Sequence, residues 1–347
     1  MRRIRIRETA SCAILIGLSP LFGQGLTLVG SGYSNPIPIR VSPGQITTFF
    51  VSGLSKGFYD PQKATGLPLP NVLGGISVTI NQYQPNLKQS YSVPLLGVQQ
   101  LIACGAIGGG GGGPSSDCLL WAITVQIPYE ISFTTNSNSA ATAEVIISKN
   151  DTASKAFTVL VASDNLHVLN TCDPFPPKQG SQVIAVPDPT TCSGVVTHAD
   201  GTMVSVGSPA KAGETVVIYA YGLGQTTPAV KTGTATPTPA PTLLNGHTVT
   251  VQFDFRPNAG PALPYINPLI MAPFIPGAIF AGLTPGQVGL YQINVKIPDT
   301  VPSVPSCTGT LGGIGNGFTS TVLSNVTIEI GGISSFDGAA ICVQPGQ

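Results

Sequence analysis

Side chains able to carry acid–base, nucleophilic or metal chemistry are few in this chain and widely spaced. The histidines are His167, His198 and His247. The carboxylates include Glu130, Glu144, Asp164, Asp173, Asp188, Asp200, Glu214, Asp254 and Glu329. No two histidines are close, no HExxH run exists to offer two imidazoles from one helix face, and no EF-hand loop can be built. A GxSxG nucleophile elbow and a P-loop are also missing. Gly313-Ile314-Gly315-Asn316-Gly317 matches a dinucleotide fingerprint only in part and lacks the strand–helix setting such a site needs. The expectation is a chain that is not an enzyme, with no catalytic residue, no cofactor and no metal ligand, and with each histidine in a surface or turn position.

Cysteine chemistry is more informative. After the amino-terminal Cys12 the cysteines are Cys104, Cys118, Cys172, Cys192, Cys307 and Cys342. An even count in an exported chain reads as disulfides. The pairing favoured is sequential, Cys104–Cys118, Cys172–Cys192 and Cys307–Cys342, because each pair brackets a Gly- or Pro-rich excursion. Zinc ligation is the rival, and it is poorly served by the absence of CxxC spacing. Aromatic and apolar side chains supply the candidate ligand surface. Tyr129 lies just past a strand end at Pro128, and Tyr265, Met271 and Phe274 lie in a proline-rich stretch, residues 256–277, that either packs over the core or offers a binding face. Trp121 shares its alternating face with Ile123, Val125 and Ile127 and is read as core rather than as a sugar platform.

The elements that must position these groups are strands. Trp121, Ile123, Val125 and Ile127 alternate with Ala122, Thr124 and Gln126, and Tyr291, Ile293, Val295 and Ile297 alternate with Gln292, Asn294 and Lys296. Such period-two patterning puts one face on a core and the other in water. The two segments resemble each other at an offset of 170. Pro43-Gly44-Gln45-Ile46-Thr47-Thr48-Phe49-Phe50-Val51-Ser52-Gly53-Leu54 resembles Ala212-Gly213-Glu214-Thr215-Val216-Val217-Ile218-Tyr219-Ala220-Tyr221-Gly222-Leu223 at an offset of 169. Two matched blocks at nearly one offset predict a duplicated domain. With 42 glycines, 32 prolines and only 9% charged residues, the chain reads as all-β. It is expected to form two tandem immunoglobulin-like β-sandwich domains at residues 26–163 and 164–347. Residues 226–242, rich in Thr and Pro, are expected to be extended and exposed, and His198-Ala199-Asp200-Gly201-Thr202 carries an Asp-Gly turn signal.

Residues 1–25 read as a cleavable export signal: Arg2, Arg3, Arg5 and Arg7, then a short apolar stretch at residues 13–22, then Gly23-Gln24-Gly25. That stretch is too short to cross a bilayer, which takes roughly 20 residues. Formal charge is zero overall, and without Arg2, Arg3, Arg5, Arg7 and Glu8 it becomes −3. No basic patch favours nucleic acid.

The motifs Ser208-Pro209-Ala210-Lys211-Ala212-Gly213-Glu214, Tyr221-Gly222-Leu223-Gly224 and Ala281-Gly282-Leu283-Thr284-Pro285-Gly286-Gln287-Val288-Gly289-Leu290-Tyr291-Gln292-Ile293-Asn294-Val295 resemble the uncharacterised carboxy-terminal domain family of secreted proteins from Solibacter and related Acidobacteria. Leu73-Gly74-Gly75-Ile76-Ser77-Val78 and Gln126-Ile127-Pro128-Tyr129-Glu130 extend the likeness into the first half. His198 stands where that family has Asn before its Asp-Gly turn. The resemblance implies export and an immunoglobulin-like build, and it carries no catalytic residues. The reading is an extracellular or cell-envelope interaction or adhesion module binding a protein or polysaccharide, with no membrane span. The alternatives are a structural spacer or self-assembling surface component, and a hydrolase with a site at the domain junction.

Overall fold

The computed structural model describes residues 27–31, 39–54, 60–84, 87–102, 119–133, 141–150, 152–153, 156–171, 173, 193–244, 249–255, 277–312, 319–331 and 336–346. Among them there is no α-helix and the regular elements are β-strands. The first half holds β1 (Thr27–Ser31), β2 (Arg40–Val41), β3 (Ile46–Ser52), β4 (Gln62–Lys63), β5 (Val72–Leu73), β6 (Ile76–Gln84), β7 (Leu87–Val93), β8 (Leu95–Ile102), β9 (Leu119–Gln126), β10 (Ala141–Lys149), β11 (Thr152–Ala153) and β12 (Phe157–Val161). The second holds β13 (His167–Val168), β14 (Val196–His198), β15 (Thr215–Tyr221), β16 (Thr226–Thr227), β17 (Thr242–Leu243), β18 (Thr250–Asp254), β19 (Phe280–Leu283), β20 (Tyr291–Lys296), β21 (Thr310–Gly312), β22 (Thr319–Thr321), β23 (Val326–Gly331) and β24 (Phe336–Ile341).

In the first half a five-stranded sheet, β1-β3-β9-β8-β4, shares one apolar cluster with a sheet ordered β2-β12-β10-β6-β5, to which β11 and β7 add. Alternation decides which side chains enter that cluster. Phe49, Trp121, Ile123 and Val125 come from one sheet and Ile76, Ile80, Val145 and Ile147 from the other, all fully buried. Each such side chain removed from water contributes about 1.5–3 kcal/mol. In the second half β13-β15-β20-β19-β17-β16, with β14 beside β15, share a second cluster with the sheet β18-β23-β24. Ile218, Tyr291, Ile293 and Val295 meet Val251, Phe253, Ile328 and Ile330 there.

Pairing is the same at matching positions of the two halves. Ile46 faces Gln126 and Phe49 faces Ile123 across β3 and β9, as Thr215 faces Lys296 and Ile218 faces Ile293 across β15 and β20. The order β12-β10-β6 has its counterpart in β24-β23-β18. A parallel contact recurs as well, β2 with β12 and Ala210 with Val343. Before each matched strand the chain turns on a glycine at positive φ, Gly44 and Gly213, both at 74°. At Gly44 a Cβ would run into the Tyr129 ring.

Two expectations need correction. The outer face of β9 is not in water, since Ala122, Thr124 and Gln126 are buried. Residues 226–242 are exposed at 227–229 and 237–239 but are not a free loop, since Thr226, Val230 and Thr236 are buried. Ala122 packs with Leu101, Leu120 and Phe50, and Thr124 Oγ1 lies 2.8 Å from Thr48 Oγ1, whereas at Gln126 the 226–242 segment lies on the first half. The Gly233 amide donates to Gln126 Oε1 at 2.6 Å, and the Leu69 amide donates to the Gly233 carbonyl at 2.8 Å. Thr232 Oγ1 donates to Glu130 Oε2 at 2.6 Å and accepts from the Tyr129 amide at 2.9 Å. Gln126 Oε1 and Thr124 Oγ1 on β9 are therefore paired rather than solvated, while the buried Gln126 Nε2 has no protein partner.

Candidate functional site

Three turns of the second half converge on one imidazole. The first closes β14. The His198 amide donates to the Thr202 carbonyl at 2.8 Å, the Gly201 amide donates to the His198 carbonyl at 3.0 Å, and Gly201 takes a φ of 86°. Asp200 Oδ1 accepts from the Thr202 amide at 2.9 Å and from its hydroxyl at 2.7 Å. These bonds hold the Asp200 carboxyl below its usual range. Asp-Gly thus turns the chain as its chemistry predicts.

The second turn is residues 205–208, closed by reciprocal backbone bonds between Ser205 and Ser208 at 3.0 and 3.1 Å. The third is residues 211–214, where the Lys211 amide donates to Glu214 Oε2 at 2.9 Å. The first half has the equivalent closure, with the Ser42 amide donating to Gln45 Oε1 at 2.9 Å. Gln45 and Glu214 do the same local work, and only the second is a carboxylate.

His198 ties these turns together. Its Nδ1 lies 2.5 Å from Glu214 Oε1, and its Nε2 lies 3.1 Å from Ser208 Oγ and 3.1 Å from the Ser208 carbonyl. The hydrogen bond to Glu214 raises the imidazole pKa above its ordinary 6.5; partial burial works against this, and the Ser208 carbonyl and the Asp200 charge add to it. The pair is partly shielded, at 13% and 22% exposure, while Ser208 is exposed. A groove of about 1020 Å³ opens beside them, lined also by Asp200, Lys211, Val206, Cys307 and Val343.

The other sequence candidates lie elsewhere. Cys307 and Cys342 form a disulfide-distance pair, Cα atoms 5.8 Å apart, and Cys307 stands in the groove wall. Cys104, Cys118, Cys172 and Cys192 lie outside the described residues, as do His247, Tyr265, Met271, Phe274 and the signal segment. Tyr129 is corrected from a candidate ligand contact to a buried residue, at 6% exposure. Its ring covers Gly44 and joins the second-half core beside Tyr291, whose hydroxyl donates to the Gly224 carbonyl. Burial pushes both phenols up. Trp121 is fully buried, with Lys149 Nζ 4.5 Å from its ring centre.

His167 pairs with Asp173 at 2.6 Å. Near it, Tyr221 is pushed up to about 12, mainly by burial and then by the Asp173 charge. Among the described residues no group of three or more His, Cys, Asp or Glu is placed to hold a metal ion. None of the described residues forms a helix long and apolar enough to cross a membrane. Sequence reasoning placed His198 and Asp200 in a turn and aligned Glu214 with Gln45, but it did not bring Ser208, His198 and Glu214 together. The offset that pairs Gln45 with Glu214 was the one available signal, since it marks a charge gained in a turn otherwise retained.

Compared with known proteins, the chain matches no protein-family model and no curated protein sequence.

Proposed function

We propose that the chain is an exported recognition module of two tandem immunoglobulin-like β-sandwich units, working at the cell surface or outside the cell. On this reading the amino-terminal segment directs export and is removed, and the likeness to the secreted acidobacterial domain family reflects common architecture. The partner is a protein or an uncharged polysaccharide, met by turns and loops held on braced sheets. The observation that carries the reading is the seating of residues 226–236 on the first half through Thr232 and Gly233. Those bonds hold the turns of one half in fixed relation to the other, which lowers the ordering cost of binding a partner across both.

The test uses the secreted chain on a glycan array and a sizing column, with its amino terminus sequenced. Selective binding by a monomer whose terminus follows Gly25 supports the proposal. Concentration-dependent polymers formed without a ligand would instead favour the structural-spacer reading, and an intact Met1 terminus on intracellular protein would overturn export.

A further inference from the structure

We propose that Ser208, His198 and Glu214 form a nucleophile, base and orienting acid that hydrolyses a neutral carboxylic ester held in the adjoining groove. The connectivity is that of a working triad: serine hydroxyl to Nε2, Nδ1 to carboxylate. Each member has one further restraint. Glu214 is held through its second oxygen by the Lys211 amide, and His198 stands at the closed end of the Asp-Gly turn. Ser208 sits in a reciprocally bonded turn with its side chain on the exposed rim. The activity goes beyond the recognition role and stands independently of it.

The imidazole has two acceptor-compatible neighbours at equal distance, and its protonation state decides what it can do with each. Glu214 keeps a proton on Nδ1. When His198 is charged, Nε2 carries a proton too and can only donate, to the Ser208 carbonyl or to the hydroxyl oxygen, and it cannot accept a proton from serine. When His198 is neutral, Nε2 has a lone pair and can only accept, so it takes the Ser208 hydroxyl proton. Deprotonation therefore turns a brace into a general base with no movement of the backbone. The groups that face the ring set where this happens: Glu214 and Asp200 favour the charged form, and Lys211 lines the same groove.

In the reaction, Ser208 Oγ bonds to the acyl carbon as its proton passes to Nε2. The acyl carbon–oxygen bond breaks and that proton leaves with the alcohol. Water then attacks the acyl-serine by the same route, releasing the acid and restoring Ser208. An ester suits the site because an alkoxide leaves far more readily than an amide's nitrogen anion, and His198 returns the one proton it needs. The lining disfavours an anionic ester, since two carboxylates, Asp200 and Glu214, outnumber the single lysine once His198 is neutral.

The experiment exposes the full secreted chain to a fluorophosphonate probe and to p-nitrophenyl acetate from pH 5.5 to 8.5, alongside S208A, H198N and E214Q, each checked by its melting profile. The proposal expects the probe on the Ser208 peptide, a rate that rises as His198 loses its proton, and complete loss of both in S208A. H198N should be slower by about 10²-fold or more, the lower end of what a positioned base supplies. No labelling above S208A overturns it, and so does labelling of Ser208 that is flat with pH and equal in H198N.

Discussion

Glu214 differs from Gln45 by one atom's worth of chemistry, an oxygen for a nitrogen, yet the change converts a turn-closing side chain into a partner for an imidazole. The amide bond that closes the turn is 2.9 Å in both cases, so the turn itself is indifferent to the charge. His198 is not. Its pKa is raised in the folded protein, chiefly by Glu214, and the sign of the stability effect follows. The stabilisation is fully present below the ordinary histidine value of 6.5 and is lost as pH rises through the higher folded value. Glu214→Gln keeps the Lys211 contact and removes the charge. Urea midpoints of the wild type and this variant should therefore lie furthest apart near pH 5.5 and draw together toward pH 8.5. A gap that stays constant over that range would show that the pair does not titrate as a unit.

At the scale of elements, the segment after β20 and the end of β24 are joined by the pair Cys307–Cys342, 35 residues apart. Closing a loop of that size removes unfolded-chain freedom equivalent to about 3–4 kcal/mol. Both cysteines are buried, so the double change C307A/C342A should lower unfolding stability by roughly that amount without adding a polar group, as denaturant titration would report. A loss below about 1 kcal/mol would mean that the unfolded chain keeps these two segments close even without the crosslink.

The strands themselves were legible. Trp121, Ile123 and Val125 enter the core in the alternation the sequence displays, and the matched blocks at offsets of 169 and 170 adopt the same register. The outer face of β9 was not legible, because Thr124 and Gln126 carry the polarity of a solvated face. What covers Gln126 arrives from residues 107 positions further on, and no local pattern encodes a distant lid. The Thr/Pro composition of that lid reads as linker for the same reason. The candidate site was not legible because its three side chains come from three separate turns, whose mutual approach is set by sheet packing.

For the molecule as a whole, the decisive contact is Thr232. Its hydroxyl takes the Tyr129 amide proton and gives its own to Glu130. Thr232→Val keeps the shape and deletes both bonds, leaving the Tyr129 N–H without this acceptor at a cost of about 1–3 kcal/mol. Loss of that link should also loosen the coupling between the two cores. Calorimetry on the variant should show the melting profile broadening or separating into two transitions where the wild type shows one. An unchanged profile would mean that the Gly233 bonds and the apolar contact around Tyr129 and Tyr291 hold the halves together without Thr232.

The same clasp bears on how the chain acquires its shape in time. Chains emerge from the ribosome amino end first and tend to fold in that order, so β9 exists well before Gly233 has been made. Until then Gln126 must bond water, and the first half is complete in register yet wet along one stripe. The final drying of that stripe is a late docking step, and a chain truncated before residue 226 would be left with a hydrophilic scar where the finished protein has a seam.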